Sequence, residues 1–188
     1  MMDVGLVEVP NPSQMLLEGR PEGASGTCVA CVMEGTRPVL AEVQALVTKT
    51  TFNVPRRAAD GFDFNRAVLL LAVAEKRCGM KLSAFDAYIN VIGGLQLNEP
   101  GADLPVALAI ASSYRDTPVA DDMVAIGEIG LTGEIRSVSH MNQRLSEAAR
   151  LGFKKCIIPR SGSEKLEVPE GLTIYRVRNL REAIEMAI

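Results

Sequence analysis

The sequence predicts a mixed α+β domain, in which antiparallel strands come early and helices alternate with strands later. Residues 39–47 carry apolar side chains at every second position, which is the period of a β-strand. Residues 63–77 and 103–113 are rich in apolar residues over lengths typical of helices. The chain is 47% hydrophobic and 23% charged, which is typical of a globular protein and excludes a disordered or fibrous one.

Strand patterns dominate the first 60 residues. The stretch GLVEVPNPS alternates and then breaks at two prolines, which indicates a short strand followed by a helical turn or two near Ser13 to Leu17. Residues 26–48 predict two strands joined by a tight turn at 34–36, the second of them half-buried and antiparallel. Residues 53–61 are bounded by proline and glycine and predict a polar loop.

Two helices and a strand are predicted in the centre. A helix runs from about Asp63 to Arg77, with Asp63 as its N-cap, and its apolar middle predicts deep packing on all sides. Residues 83–94 predict a strand that ends in glycines. A second buried helix runs from Asp103 to about Ser113, with Asp103 predicted as its N-cap.

The last third alternates between strands and helices. Residues 122–138 predict a strand, a glycine-rich turn and another strand. Residues 140–152 form an amphipathic helix, and two short strands and a capped C-terminal helix follow it. The absence of repeats and clear internal linkers predicts one domain over residues 1–188.

The composition of the chain limits which partners it can bind and in which cellular compartment we expect it. A net charge of -3 excludes a generally basic nucleic-acid binder but leaves room for a local basic patch. The longest apolar run, residues 67–74, is far shorter than the roughly 20 residues of a membrane span. No signal peptide is visible, so the four cysteines are expected to be reduced thiols in a cytoplasm.

The cysteines and the single histidine predict no catalytic or metal site. Cys28 and Cys31 form a C-x-x-C pair, but zinc needs four ligands, and residues three apart on a strand point to opposite faces. We therefore expect them to pack in the core. His140 lies near Ser137 and Ser139 in sequence, but nothing indicates the spatial convergence that a catalytic triad requires.

Three arginines are the strongest candidates for binding. Arg56, Arg57 and Arg66 gather around the predicted loop at 53–61 and the start of the helix after it. They either form local ion pairs with neighbouring aspartates or contact phosphate groups of DNA or an adjacent subunit.

Several stretches resemble the proteolytic domain of Lon-type ATP-dependent proteases: GADLPVALAIASS, AIGEIGLTGEIRSV and HMNQRLSEAARLGFKKCIIP. The resemblance implies a Lon proteolytic-domain-like fold. That family uses a Ser-Lys dyad, whose serine position falls on Asp103 and whose lysine position falls on Asn142 or within a residue of it. Because neither residue can do that chemistry, the resemblance implies a pseudo-protease with no catalytic residues.

Longer strings, among them VPRRAADGFDFNR, LLLAVAEKR and EPGADLPVALAIASSYRD, resemble the C-terminal domain of the RadA (Sms) family of bacterial DNA-repair proteins. That family joins a zinc finger, a RecA-like ATPase and a Lon-like domain without protease activity. The resemblance implies no cofactor in this domain, with ATP and Mg in an upstream ATPase domain and zinc in an N-terminal finger. Residues 1–20 are then expected to be a connector.

The resemblance also implies a function in recombination and branch migration. The expected partners are further copies of the chain in a hexameric ring, single-stranded or branched DNA, and a RecA-type recombinase, with no membrane. Two alternatives stay open. One is a pure oligomerisation module without DNA contact, and the other is a peptidase with a relocated dyad that pairs Ser112 or Ser113 with Lys154 or Lys155.

Overall fold

The computed structural model describes residues 12–163 and 165–188, which form a seven-stranded mixed sheet with helices on both faces. The strand predicted before residue 12 lies outside the described residues. The strands are β1 Thr27–Glu34, β2 Arg37–Lys49, β3 Arg57–Asp60, β4 Phe85–Val91, β5 Met123–Ala125, β6 Glu128–Ile129, β7 Ile135–Arg136, β8 Lys155–Pro159 and β9 Thr173–Val177. The helices are α1 Pro12–Leu17, α2 Phe64–Cys78, α3 Asp103–Arg115, α4 Met141–Arg150 and α5 Leu180–Ala187.

The sheet confirms the predicted fold class. Its strand order is β3-β4-β2-β1-β5-β8-β9, and β6 pairs with β7 as a separate hairpin. The β1–β2 and β2–β4 pairs are antiparallel, whereas β5, β8 and β9 run parallel to β1 and to one another. The first two described strands of the chain therefore pair antiparallel, and strands alternate with helices in the last third, as the sequence predicts.

Two apolar cores lie on the two faces of this sheet. Helices α2, α3 and α5 cover one face, and α4 covers the other. Strand β1 alternates between them, because Cys28 belongs to the first core and Cys31 to the second. The centre of β2 is buried on both faces, as the neighbouring residues Ala41 and Glu42 show, so the prediction of a half-buried strand is wrong there.

The predicted loop at 53–61 contains an edge strand. Residues Arg57–Asp60 form β3, which pairs in parallel with residues 87–90 of β4. The polar side chains reflect its place at the sheet edge, where alternate residues face solvent.

Helix α2 confirms the predicted cap but not the predicted burial. The Asp63 side chain accepts a hydrogen bond from the Arg66 amide and caps the helix. Val68 and Leu69 are exposed, because α2 lies on the outside of the molecule and packs with one face only. Helix α3, by contrast, is buried from residue 103 to residue 112, as predicted.

Candidate functional site

Asp103 stands at the start of α3 and does not cap it. A 3-10 turn at residues 100–102 leads directly into the helix, so Ala102 is the N-cap residue and no side chain bonds there. Asp103 already has helical backbone angles, φ -60° and ψ -48°. Its predicted role as an N-cap is therefore wrong, because a capping side chain needs a non-helical backbone.

The Asp103 carboxylate is part of a buried ion pair. It accepts hydrogen bonds from Arg66 Nε at 2.8 Å, from Arg66 Nη2, and from the Ile129 amide at 2.9 Å. Arg66 Nη2 also donates to the Ile129 carbonyl at 2.8 Å, so the pair holds both polar backbone atoms of that residue. The hydrogen bond to Asp103 is also the largest cause of the raised pKa of the Arg66 guanidinium.

The cleft beside this pair has a volume of about 340 Å³ and is lined by Asp63, Arg66, Glu99, Asp103 and Glu128 together with apolar and amide side chains. Asp103 itself is 1% exposed. Its two oxygens are both occupied, so the position that the resemblance assigns to a nucleophile holds a paired carboxylate.

Asn142 and Asp103 have different hydrogen-bond partners. It is exposed in the first turn of α4, and its side-chain oxygen accepts a hydrogen bond from the Glu167 amide at 3.2 Å. No hydrogen bond joins Asn142 to Asp103 among the described residues.

A buried arginine, which the sequence reasoning missed, lies two residues further along α4 than Asn142. Arg144 is fully buried and pairs with Glu99, with Nη2 to Oε2 at 2.8 Å. It also donates to the Cys31 and Ser139 carbonyls. The signal available in the sequence is a basic residue on the apolar face of an amphipathic helix, four residues before Ala148.

The three predicted arginines do not form one cluster. Arg56 is exposed, and its guanidinium stacks over the Phe52 ring at 3.6 Å. Arg57 donates to the carbonyls of Leu82 and Phe85. Arg66 belongs to the ion pair described above and lies beyond the other end of β3. Contact of these arginines with DNA stays a prediction.

The serines of the relocated dyad have structural partners. Ser112 accepts from the Gly26 amide at 2.8 Å and donates to the Thr117 carbonyl at 2.6 Å. Ser113 accepts from the Val47 amide at 2.9 Å. Lys155 forms an ion pair with Asp122 at 3.1 Å.

His140 and its sequence neighbours form no triad. His140 is exposed, has a left-handed backbone with φ 58°, and makes no side-chain cap at α4. None of the described hydrogen bonds joins it to Ser137 or Ser139.

The cysteines pack as predicted. Cys28, Cys31 and Cys156 are buried, and Cys78 is partly buried. Desolvation raises the pKa of the Cys28 and Cys31 thiols to about 12, which keeps them protonated at neutral pH. Residues 12–163 and 165–188 bring together no group of three or more His, Cys, Asp or Glu side chains that could hold a metal ion.

The sequence reasoning also missed an open cleft of about 730 Å³, which lies next to β7 and the ends of β8 and β9. Three arginines line it: Arg136, Arg160 and Arg178. Two of them directly follow a predicted strand, in IIPR and YRVR, and this placement at strand ends is the signal that could have found the cleft.

Comparison with known proteins shows which proteins the chain resembles. Residues 71–162 match the family described as subunit ChlI of Mg-chelatase. The whole chain is 50% identical to the DNA repair protein RadA of Listeria monocytogenes and 48% identical to that of Bacillus subtilis, covering 41% of each. Over its whole length the chain is therefore similar to part of the DNA repair protein RadA. It is also 49% identical over 185 residues to RadA of Streptococcus pneumoniae, of which it covers 44%.

The chain therefore spans about two fifths of the length of the RadA proteins that it matches. This confirms the resemblance drawn from the motifs in the sequence. Among the described helices, none combines the length and the apolar character that crossing a membrane requires.

Proposed function

We propose that this chain is a Lon-like domain without peptidase activity that serves a RadA-type DNA-repair ATPase as a ring scaffold and as a surface for the DNA backbone. The parent would act as a branch-migration helicase alongside a RecA-type recombinase. The ATP, Mg and zinc that the resemblance implies are assigned in this proposal to the parts of the RadA relatives that this chain does not span.

The observation that carries the proposal is the buried Arg66–Asp103 pair. Nucleophilic catalysis needs an exposed attacking group next to a base. Asp103 is buried, and its carboxylate is held by three hydrogen bonds, so it offers neither. The exposed amide of Asn142 has no basic nitrogen. Without a nucleophile and a base at these two positions, we expect the domain to contribute through its shape and its surface.

The outer face of α2 supports a scaffold role. Phe64, Val68 and Leu69 are exposed there, and Phe64 and Val68 are four residues apart on the same side of the helix. A contiguous apolar helix face is typical of surfaces that bind another protein. In a ring, each copy would place this face against a different surface of its neighbour.

The DNA surface is proposed at the N-terminal end of β3. Arg56 is the one of the three predicted arginines that is exposed, and its guanidinium lies over the Phe52 ring at 3.6 Å. Phosphate contacts of this kind position DNA without reading its sequence, which suits a motor that moves along any strand.

The test replaces Arg56 by Gln and measures both oligomerisation and DNA binding. We expect weaker binding of single-stranded DNA and a shallower salt dependence, with sedimentation unchanged. Arg115→Gln is the matched control, because Arg115 is an exposed arginine at the end of α3. Loss of the oligomer with unchanged DNA affinity would instead make Arg56 an interface residue and favour the pure oligomerisation module.

A peptidase assay tests the silent site directly. We expect no turnover of a fluorogenic peptide by the chain or by its Asp103→Ala variant. Turnover that survives Asp103→Ala but is lost with Ser112→Ala would refute the proposal.

A further inference from the structure

The structure points to a second binding site that is separate from the proposed DNA surface. We propose that the cleft lined by Arg136, Arg160 and Arg178, here called the arginine cleft, binds a phosphate group.

Parallel strand pairing places two of the arginines side by side. Pro159 and Val177 are partners in the β8–β9 register, and Arg160 and Arg178 directly follow them. The Arg160 amide donates to the Val177 carbonyl at 2.8 Å, which extends the pairing past the strand ends. Adjacent strands lie about 4.8 Å apart, so the two side chains leave the backbone as close neighbours. Ligands of open α/β sheets bind at this carboxyl edge.

The third arginine comes from the β6–β7 hairpin. The Ile135 amide donates to the Arg178 carbonyl at 2.9 Å, and the Leu180 amide donates to the Gly133 carbonyl at 2.9 Å. These bonds attach β7 to the segment that follows β9. Arg136 is thereby held on the same cleft, although it is far from the other two in sequence.

The turn that carries Arg160 is fixed before any ligand binds. The buried Ser163 hydroxyl donates to the Arg160 carbonyl at 2.7 Å and accepts from Arg176 Nε at 3.1 Å. Gly162 has φ 75°, and a Cβ at that position would lie 3.1 Å from the Ser137 side chain. The absence of a side chain therefore allows the turn to approach Ser137, which lines the cleft.

The charges of the cleft favour an anion. The guanidinium groups of Arg160 and Arg178 make no hydrogen bond or ion pair with any described residue. Arg136 pairs with Glu134, whose Oε1 lies 3.0 Å from Nε and 2.6 Å from Nη2. A second acid, Glu182, accepts from the Arg178 backbone amide at 2.5 Å. Three arginines and one glutamate thus line the cleft, which leaves it with a net positive charge.

A phosphate group fits this set of donors. Each guanidinium presents a planar fork of N–H donors, and several forks that converge can share the oxygens of one tetrahedral anion. The phosphate could belong to a nucleic-acid strand or to a free phosphorylated molecule, and the chemistry of recognition is the same for both.

The arginine cleft is independent of the proposed DNA surface. Strands β3 and β9 are the two edges of the sheet, and six inter-strand steps of about 4.8 Å place them roughly 29 Å apart. Substitutions in one site should therefore leave the other unchanged.

The first experiment titrates inorganic phosphate into the 188-residue chain at low ionic strength by calorimetry. We expect saturable binding that weakens about tenfold with Arg160→Gln or Arg178→Gln, because each change removes a charge-assisted hydrogen bond. Arg115→Gln changes the net charge equally and should bind as the parent does. Absence of saturable binding, or an equal loss with Arg115→Gln, would overturn the inference.

A charge-neutral variant tests whether phosphate binding depends on the geometry of the cleft or only on its positive charge. Gly162→Ala puts a methyl group against Ser137 and strains the turn, and we expect weaker phosphate binding with net charge unchanged. Thermal unfolding of each variant checks that the fold is intact. Unchanged affinity in a folded Gly162→Ala chain would show diffuse attraction and overturn the inference.

The second arm identifies the source of the phosphate by DNA titration. If the Arg160→Gln/Arg178→Gln variant loses affinity for single-stranded DNA while Arg56→Gln does not, the cleft holds the strand, and the proposed surface on β3 fails. If only Arg56→Gln loses DNA affinity, the cleft that binds inorganic phosphate serves a free phosphorylated molecule. Both results support the cleft, and they separate it from the proposed function.

Discussion

Removing Arg66 should destabilise the fold, because it leaves the Asp103 carboxylate buried with one remaining partner, the Ile129 amide. Arg66→Met loses three hydrogen bonds, two to the carboxylate and one to the Ile129 carbonyl. Breaking a buried pair from one side costs about 3–5 kcal/mol. Because the Arg66 side chain is 29% exposed, water can replace part of what is lost, and we expect roughly 2–3 kcal/mol.

A double-mutant cycle separates this pair from ordinary loss of packing. Asp103→Leu should lower the free energy of unfolding by a similar amount. The double variant Arg66→Met/Asp103→Leu should lose about 2 kcal/mol less than the sum of the two single losses, since no charge is left unpaired. The free energies come from urea unfolding followed by circular dichroism. Arg150→Met is the control, because the Arg150–Glu147 pair is exposed on the arginine side and should change stability by under about 0.5 kcal/mol.

Two results would refute this reasoning. If Arg66→Met unfolds at the urea concentration of the parent, the Asp103 carboxylate does not depend on its arginine. If the losses of stability of the two single substitutions simply add in the double variant, the two residues are not coupled. The ion pair then explains the loss in neither single variant.

The remaining predictions concern the cysteines, one glycine and the arginine cleft. Because the folded pKa of Cys28 and Cys31 is about 12, against about 9 when unfolded, only the unfolded chain loses these protons above pH 9. Stability should therefore fall between pH 9 and 12, and native alkylation at pH 8 should spare both thiols. Gly26→Ala should cost at least about 2 kcal/mol in urea unfolding, since φ is 86° and a Cβ would lie 2.4 Å from a backbone carbonyl oxygen. Glu134→Gln should tighten phosphate binding several-fold by calorimetry, because it frees Arg136 from its ion pair.

Protonation of Glu134 cannot mimic that last substitution near neutral pH. Hydrogen bonds from the Thr132 hydroxyl, then from its own backbone amide and from Arg136, hold the pKa of the Glu134 carboxyl at about 2. A lowered carboxyl pKa means that the ionised form persists as the pH falls and is lost only near pH 2. Phosphate affinity should consequently show no step between pH 4 and 6 that depends on Glu134.

The long elements could be predicted from sequence because their patterns are local. The β1–β2 hairpin and helices α2 and α3 follow from apolar periodicity and from turn and cap residues. Strand β3 could not, because its four residues show no apolar alternation and owe their strand conformation to pairing with β4 at the sheet edge. The cap at Asp103 was wrong because a 3-10 turn before a helix has no distinct signature in the sequence.

The Arg66–Asp103 pair and the arginine cleft differ in how much of each could be predicted from the sequence. The local pattern places Asp103 correctly at the head of α3, but it predicts its partner Arg66 as a DNA contact, since pairing over 37 residues depends on how α2 packs against α3. The arginine cleft draws its residues from positions 136, 160 and 178. The ends of two predicted strands indicate Arg160 and Arg178, but the attachment of β7 that adds Arg136 cannot be derived from local patterns.

The buried pair and the cleft are connected through one hairpin. Arg66 and Asp103 hold the carbonyl and the amide of Ile129 in β6, and Ile129 pairs with Ile135 in β7. Arg136, the next residue, lines the arginine cleft. A buried ion pair adds little net stability but can fix one arrangement over others. The residue that the resemblance assigns to the nucleophile position of a Lon-type protease therefore holds, through Ile129, the hairpin that brings Arg136 to the arginine cleft.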